Sequence, residues 1–210
     1  MAVKQVEAQD FTRIEVAGAM EIEIAQDTRF HVRLDAEDDV LKRLRVSREG
    51  VTLRLTHSKY MDWWPRARRP RIYVTLPVLN ELSLSGASKA RLQGLTAAGE
   101  LKLRLAGASD LSGEIRALNL RLELYGASTM ELKGSAENIS VDAVGASQVE
   151  LENVMTRNAD IRLSGASRGT VTLNGVLNAR LIGASQLRYG GRPTMGDIKT
   201  IGFSTVSRKD

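Results

Sequence analysis

The sequence predicts an all-β fold, a single-stranded parallel β-helix or β-solenoid of about 20-residue Gly-Ala-Ser repeats, with an irregular N-terminal part containing a short helix. Three observations predict it. The tripeptide Gly-Ala-Ser begins at residues 86, 107, 126, 145, 165 and 183, at spacings of 21, 19, 19, 20 and 18. The residues before each copy alternate between apolar and polar. No proline interrupts the chain between Pro77 and Pro193, as backbone that donates to a ladder at nearly every position requires.

Aligned on the motif glycine, the residues two before it are Leu84, Leu105, Leu124, Ala143, Leu163 and Leu181, and those four before it are Leu82, Leu103, Leu122, Val141, Ile161 and Ala179. The column between them holds Ser83, Arg104, Glu123, Asp142, Arg162 and Arg180. Such alternation describes a strand with one dry and one wet face. A unit this short cannot bury its own apolar face, so successive copies stack, each coil pairing with the next at about 4.8 Å. The period of two excludes helical repeats, and a propeller blade needs about twice the length.

The motif residues Gly86, Ser88, Gly107, Ser109, Gly126, Ser128, Gly145, Ser147, Gly165, Ser167, Gly183 and Ser185 read as structural. A coil turning sharply over an identical coil leaves little room for side chains, and a serine hydroxyl can be satisfied by local backbone or a stacked neighbour. The alternation puts Gly and Ser on the core side and Ala outside, unless a bulge intervenes. A catalytic reading of the serines needs a base, and the two histidines, His31 and His57, lie outside the repeats. Between neighbouring coils Arg104 meets Glu123, Asp142 meets Arg162 and Lys89 meets Asp110. These read as exposed pairs that mark register and are worth about 0.2–1 kcal/mol each.

The elements before the repeats follow in order. Residues 11–24 alternate in the same way, with Gly18-Ala19 echoing the motif, which predicts one more coil near the N-terminus. A strand signal runs through Phe30–Leu34, and Asp35 is placed to cap a helix over 36–44, with acids in its first turn and Lys42 and Arg43 near its end. Two strand-like segments flanking Glu49-Gly50 predict a hairpin. After the repeats, Tyr189–Pro193 reads as a turn, and Ile201-Gly202-Phe203-Ser204 is an imperfect final copy of the motif. The chain thus divides into irregular N-terminal coils (10–77), regular repeats (78–189) and a closing coil (190–206), all within one solenoid domain spanning 1–210.

Composition narrows the function classes. There are no cysteines, which excludes disulfides and thiolate sites. The acidic run Glu37-Asp38-Asp39 lacks the spaced oxygen ligands and glycine of a calcium loop and fits a helix start better. No cofactor motif, metal site or catalytic constellation is found. The net charge of +5 is local: within 57–71, Lys59, Arg66, Arg68, Arg69 and Arg71 against Asp62 leave +4. A nucleic-acid-binding domain spreads its cations over a whole face, so nucleic acid is disfavoured as a partner. No apolar run is long enough for a transmembrane segment, and Met1-Ala2-Val3-Lys4-Gln5 does not read as a signal peptide.

The same segment holds both tryptophans, so Trp63, Trp64, Arg66, Arg68, Arg69 and Arg71 form the one place where aromatic faces and cations coincide. They suit a sugar, an anionic polysaccharide or a lipid headgroup. The leading reading is nonetheless that the tryptophans pack as a lid on the solenoid or in a subunit interface with the arginines solvated around them.

The opening Phe11-Thr12-Arg13-Ile14-Glu15-Val16-Ala17-Gly18, the hairpin at Glu49–Leu53, the strand Leu82–Ser88, the repeated Gly-Ala-Ser and the closing Tyr189–Pro193 together resemble the bacterial auto-transporter adhesin head domain family, also called the head GIN domain, over about 10–206. The resemblance implies an exported, extracytoplasmic protein of the periplasm, outer membrane or cell surface, adhesin-like by architecture and without catalytic residues to carry over. It also implies relatives found beside envelope-stress membrane modules. Absence of an N-terminal export signal departs from the family's usual pattern. The leading expectation is a non-catalytic adhesin-like envelope module presenting loops from a rigid solenoid to a glycan, an envelope component or a protein partner. A self-associating scaffold, forming a homo-oligomer, is the alternative. A polysaccharide-active enzyme would need clustered carboxylates on one face, whereas the acids here alternate with arginines.

Overall fold

A computed structural model describes residues 2–57 and 69–209. The chain opens with β1 (Ala2–Val6), β2 (Arg13–Gly18), β3 (Glu21–Gln26), β4 (His31–Ala36), α1 (Asp38–Leu41), β5 (Leu44–Glu49), β6 (Thr52–His57) and β7 (Arg71–Leu76). The repeats follow as β8 (Glu81–Gly86), β9 (Lys89–Gly107), β10 (Asp110–Gly126), β11 (Thr129–Gly145) and β12 (Gln148–Gly165). The last coils comprise β13 (Arg168–Leu173), β14 (Val176–Gly183), β15 (Gln186–Gly191), β16 (Thr194–Gly202) and β17 (Thr205–Arg208). From β8 onward every pairing is parallel, with motif glycine over motif glycine: Gly86 beside Gly18, and Gly107, Gly126, Gly145, Gly165, Gly183 and Gly202 each in register with its neighbour where the ladder continues. The fold is the predicted parallel β-solenoid.

The core is the stack of inward columns. Leu82 and Leu84, Leu103 and Leu105, Leu122 and Leu124, and their counterparts up to Ala179 and Leu181 are all buried, each large apolar side chain contributing roughly 1.5–3 kcal/mol. The motif corner departs from simple alternation. Its serines are buried and its alanines face outward, while the glycine backbone itself forms the bend at positive φ. Each alanine N–H donates to the glycine carbonyl of the coil below, from Ala87 to Gly18 (2.9 Å) through Ala184 to Gly165 (2.8 Å). The serine hydroxyl reaches the carbonyl three residues before it and, in most coils, that same glycine carbonyl, as Ser147 does with Val144 and Gly126, both at 3.2 Å. At Gly145, φ is +102° and a Cβ would sit 2.6 Å from the Gly126 oxygen. Conformation and space both demand glycine there.

The N-terminal part is built differently from its order in the sequence. The coil formed by β2 and β3 is sandwiched: β8 and β9 pair on one side, β6 and β7 on the other. The predicted first coil is present, but a later segment folds back beyond it. The outermost strands then run antiparallel, β5 on β6 through the predicted hairpin, β4 on β7, and β1 on β4. The helix is shorter than the expected 36–44, and its N-cap is Glu37, not Asp35. Strand pairing claims the flanks: Asp35 and Ala36 continue β4 against β1, and Leu44 starts β5 opposite His57. The expected turn at Tyr189–Pro193 is also narrower, because β15 runs on to Gly191 beside β13.

Gly145→Ala should lower the urea midpoint by an amount equivalent to about 2–4 kcal/mol, whereas Ala146→Ser, on the outward side of the same corner, should leave it within about 0.5 kcal/mol. Equal effects would show that the corner is not tightly stacked.

Candidate functional site

The outward side chains of the motif corner form two adjacent columns. One is Ala19, Ala87, Ala108, Ala127, Ala146, Ala166, Ala184 and, in the last coil, Phe203. The other, one residue before each glycine, includes Ala106, Tyr125, Val144, Ile182 and Ile201. Tyr125, Val144, Ile182, Ile201 and Phe203 are all exposed large apolar side chains. The glycine register lines them up over eight levels from Gly18 to Gly202, so at about 4.8 Å per coil the ridge extends about 34 Å. Ser85 and Ser164 interrupt the second column, so the large exposed apolar side chains fall on four levels, those of Gly126, Gly145, Gly183 and Gly202.

The Trp/Arg segment enters at the head of this ridge. In the first coil only Ala19 and Met20 join Gly18 to Glu21. In the adjacent coil, residues 58–70 join His57 to Arg71, and the flanking strands keep register, Ala17 with Thr56 and Glu21 with Arg71. The segment is therefore an insertion at the corner where the other coils carry Gly-Ala-Ser. Trp63, Trp64, Arg66 and Arg68 lie outside the described residues. Of the flanking residues, Arg69 and Arg71 are exposed and Pro70 is buried, its carbonyl accepting from the Glu21 N–H (3.0 Å). Arg71 Nε lies 3.3 Å from Glu21 Oε2, so its charge is partly matched. The His57 ring packs against Gly18 so closely that a Cβ on Gly18 would sit 2.2 Å from His57 Cδ2.

Charge along the ridge's flank differs from expectation in two places. The Arg104–Glu123 pair is not exposed: the Glu123 side chain is 6% exposed and is gripped by Arg104 (2.7 Å), Arg121 (2.9 Å) and Lys102 (3.3 Å). Burial pushes its carboxyl up, but hydrogen bonds from Arg104, Arg121 and Lys102 outweigh burial and lower its pKa to about 2. Glu123 therefore stays ionised at neutral pH and is unsuited to donating a proton. In the last coils the alternation of sign ends: Arg162, Arg180 and Lys199 stack in register. Arg162 pairs with Asp160 (3.4 Å), not with its neighbour Asp142, and Lys199 pairs with Asp197 (2.9 Å). The expected Lys89–Asp110 pair is present at 3.3 Å.

A second corner, seven residues before the motif glycine, carries an asparagine ladder. Asn138 Nδ2 donates to Asn119 Oδ1 (2.9 Å), Asn158 Nδ2 to Asn138 Oδ1 (3.0 Å), and the Val176 N–H to Asn158 Oδ1 (3.0 Å). It borders a shallow groove of about 500 Å³ with Asp160 and Asn178. Because the amides mostly satisfy one another, the ladder reads as a stacking device. Both it and the ridge are legible in the repeat alignment once the columns seven and one before the glycine are read. Among the described residues, no three His, Asp or Glu side chains come together as a metal site, and no helix is long and apolar enough to cross a membrane.

A family model described as "Putative auto-transporter adhesin, head GIN domain" matches residues 10–193. Among solved structures, a "putative adhesin" from Bacteroides fragilis superposes with a TM-score of 0.93 at 19% identity, covering 99% of this chain and 96% of that one. A "putative lipid binding protein" from Parabacteroides distasonis has a TM-score of 0.78 at 16% identity, over 100% and 96% of the two chains. For a "putative adhesin" from Parabacteroides merdae the values are 0.76, 17%, 100% and 96%. At these identities the likeness shows the fold. No curated protein matches the chain.

Replacing Glu123 with Gln should leave three cations without their shared partner and destabilise the fold at pH 7 by about 2 kcal/mol. The carboxyl's pKa is depressed from 4.5 to about 2, so its contribution is complete above the unfolded value and fades as pH falls through the folded one. Urea titrations of both proteins should therefore show a constant gap from pH 7 down to about pH 4.5 that narrows progressively below it and closes only near pH 2. A gap independent of pH would refute this role for Glu123.

Proposed function

The chain belongs to the putative auto-transporter adhesin, head GIN domain family, and from that premise we propose that it is a non-catalytic, adhesin-like module of the cell envelope or surface. Its binding surface is the motif corner, and its ligand is an anionic glycan chain. What supports this reading is that the segment carrying Trp63, Trp64, Arg66, Arg68, Arg69 and Arg71 in the sequence leaves the described chain at His57 and rejoins it at Arg69, at the corner where the other coils carry the ridge. Apolar and aromatic side chains cover the faces of sugar rings, and guanidinium groups take carboxylate or sulfate in paired hydrogen bonds. The Arg162, Arg180 and Lys199 column beside the far half of the ridge adds cations along the same path.

A rigid stack suits this work. Every coil is hydrogen-bonded to its neighbours, so side chains along the ridge are held at a fixed repeat, and a linear polymer can bind without ordering the protein. The extracytoplasmic location follows from the same reading, since an anionic envelope polymer is met outside the cytoplasm.

The test is calorimetric titration with a uronic-acid or sulfated polysaccharide, a neutral glycan and anionic lipid vesicles in parallel. Binding should be confined to the anionic glycan and weaken as salt rises. The double variant Trp63→Ala/Trp64→Ala, with unchanged circular dichroism, should bind about tenfold or more weakly. Failure of the wild-type protein to bind the glycan, or full binding by the folded variant, would remove the proposal; binding to vesicles alone would replace it with a membrane-surface role.

A further inference from the structure

The two ends of the solenoid are finished differently. At the N-terminal end, both coil edges are closed by antiparallel strands, β5 against β6 and β4 against β7. At the other end, β16 pairs only with β14 and β17 only with β15, so the outer edges of both are open among the described residues. This last coil also carries exposed apolar residues: Phe203 is 91% exposed, Ile201 53% and Met195 44%, with Val3 at 57% on β1 of the other end. Open edges with apolar side chains are templates for further pairing.

We infer that β16 is the dimerisation strand of this protein, pairing antiparallel with β16 of a second copy so that two solenoids join end to end. The register is set by which backbone groups are free. The Asp197 N–H donates to Asn178 Oδ1 (2.9 Å) and the Phe203 N–H to the Gly183 carbonyl (2.7 Å), both back into the stack. Alternation along the strand then turns the backbone groups of Ile198, Thr200 and Gly202 toward the open edge. A two-fold axis at Ile198 makes Ile198 and its copy a reciprocal hydrogen-bonded pair. β16 bulges between Met195 and Ile198, so the register is read from the bulge onward: Asp197 lies opposite Lys199 of the second copy, the pairing occurring twice. Each charge meets its opposite. Moving the axis to Thr200 would instead set Lys199 opposite Ile201 and Asp197 opposite Phe203.

The strands at the other end lack this self-complementarity. Self-pairing of β1 over its full length sets Lys4 opposite Lys4, and self-pairing of β5 sets Arg45 opposite Arg48. Like charges directly opposite are destabilising. Association through β16 is therefore isologous and stops at two copies, where head-to-tail stacking would continue into a fibre.

Sedimentation equilibrium from low to high micromolar protein should show a reversible monomer–dimer equilibrium with no larger species. Asp197→Lys and Lys199→Asp should each weaken the dimer about tenfold or more by setting like charges opposite each other. The double exchange Asp197→Lys/Lys199→Asp should restore it, a rescue that a folding defect would not give. A monomer at every concentration, assemblies beyond the dimer, or single variants that associate like the wild type would each overturn the inference. Glycan binding by Asp197→Lys separates this result from the ligand site, because Asp197 belongs to neither the Trp/Arg insertion nor the Arg162, Arg180 and Lys199 column.

Discussion

The glycine carbonyl at each motif corner is the acceptor on which the stack depends. The N–H of the alanine in the next coil donates to it, and in most coils the buried serine hydroxyl lies within reach of it as well. Both contacts need the coils to approach so closely that a Cβ would meet the oxygen below, 2.5 Å away at Gly107. Glycine is therefore required by the approach, serine by the need to satisfy a buried hydroxyl, and alanine by its outward place beside both. Because the corner repeats without offset, everything attached to it repeats too. The inward leucines stack into one continuous core, and the outward side chains stack into one ridge.

Function is then a matter of what the outward columns carry. A solenoid offers straight edges at a fixed repeat. Here one edge carries exposed apolar side chains and, in its last coils, the stacked Arg162, Arg180 and Lys199. The carboxylate with the strongest perturbation, Glu123, is tied to three cations and serves the stack, and the asparagine ladder satisfies itself.

The repeat was legible in the sequence because it rests on steric demands that admit few residues: Gly, Ala and Ser at the corner and apolar side chains at alternate positions. The hairpin at Glu49-Gly50 was legible for the same kind of reason, a turn needing positive φ, which Gly50 adopts at 57°. The sandwiched first coil was not, because a strand's partner depends on which open edge is available when it arrives, and β6 and β7 carry no local sign of the side of β2 and β3 they will join. Helix limits shifted because Ala36 and Leu44 gain more from strand pairing and burial than from a helical end. Glu123 looked like one more exposed acid, since its burial comes from Lys102 and Arg104 of the preceding coil together with Arg121 of its own strand. The ridge was readable in principle. Its signal lies in the column immediately before each glycine, where Tyr125, Val144, Ile182 and Ile201 break the polar pattern expected of a wet face.

Amide hydrogen exchange at the corner tests this account most directly. The N–H groups of Ala108, Ala127, Ala146, Ala166 and Ala184 belong to residues whose side chains face solvent, yet each donates to a stacked glycine carbonyl. Exchange as slow as that of the neighbouring core strands, at Leu105, Leu124 and Leu163, is the predicted result. Exchange at the rate of surface turns would mean that the corner opens independently of the strands, and would contradict the claim that it holds the solenoid together.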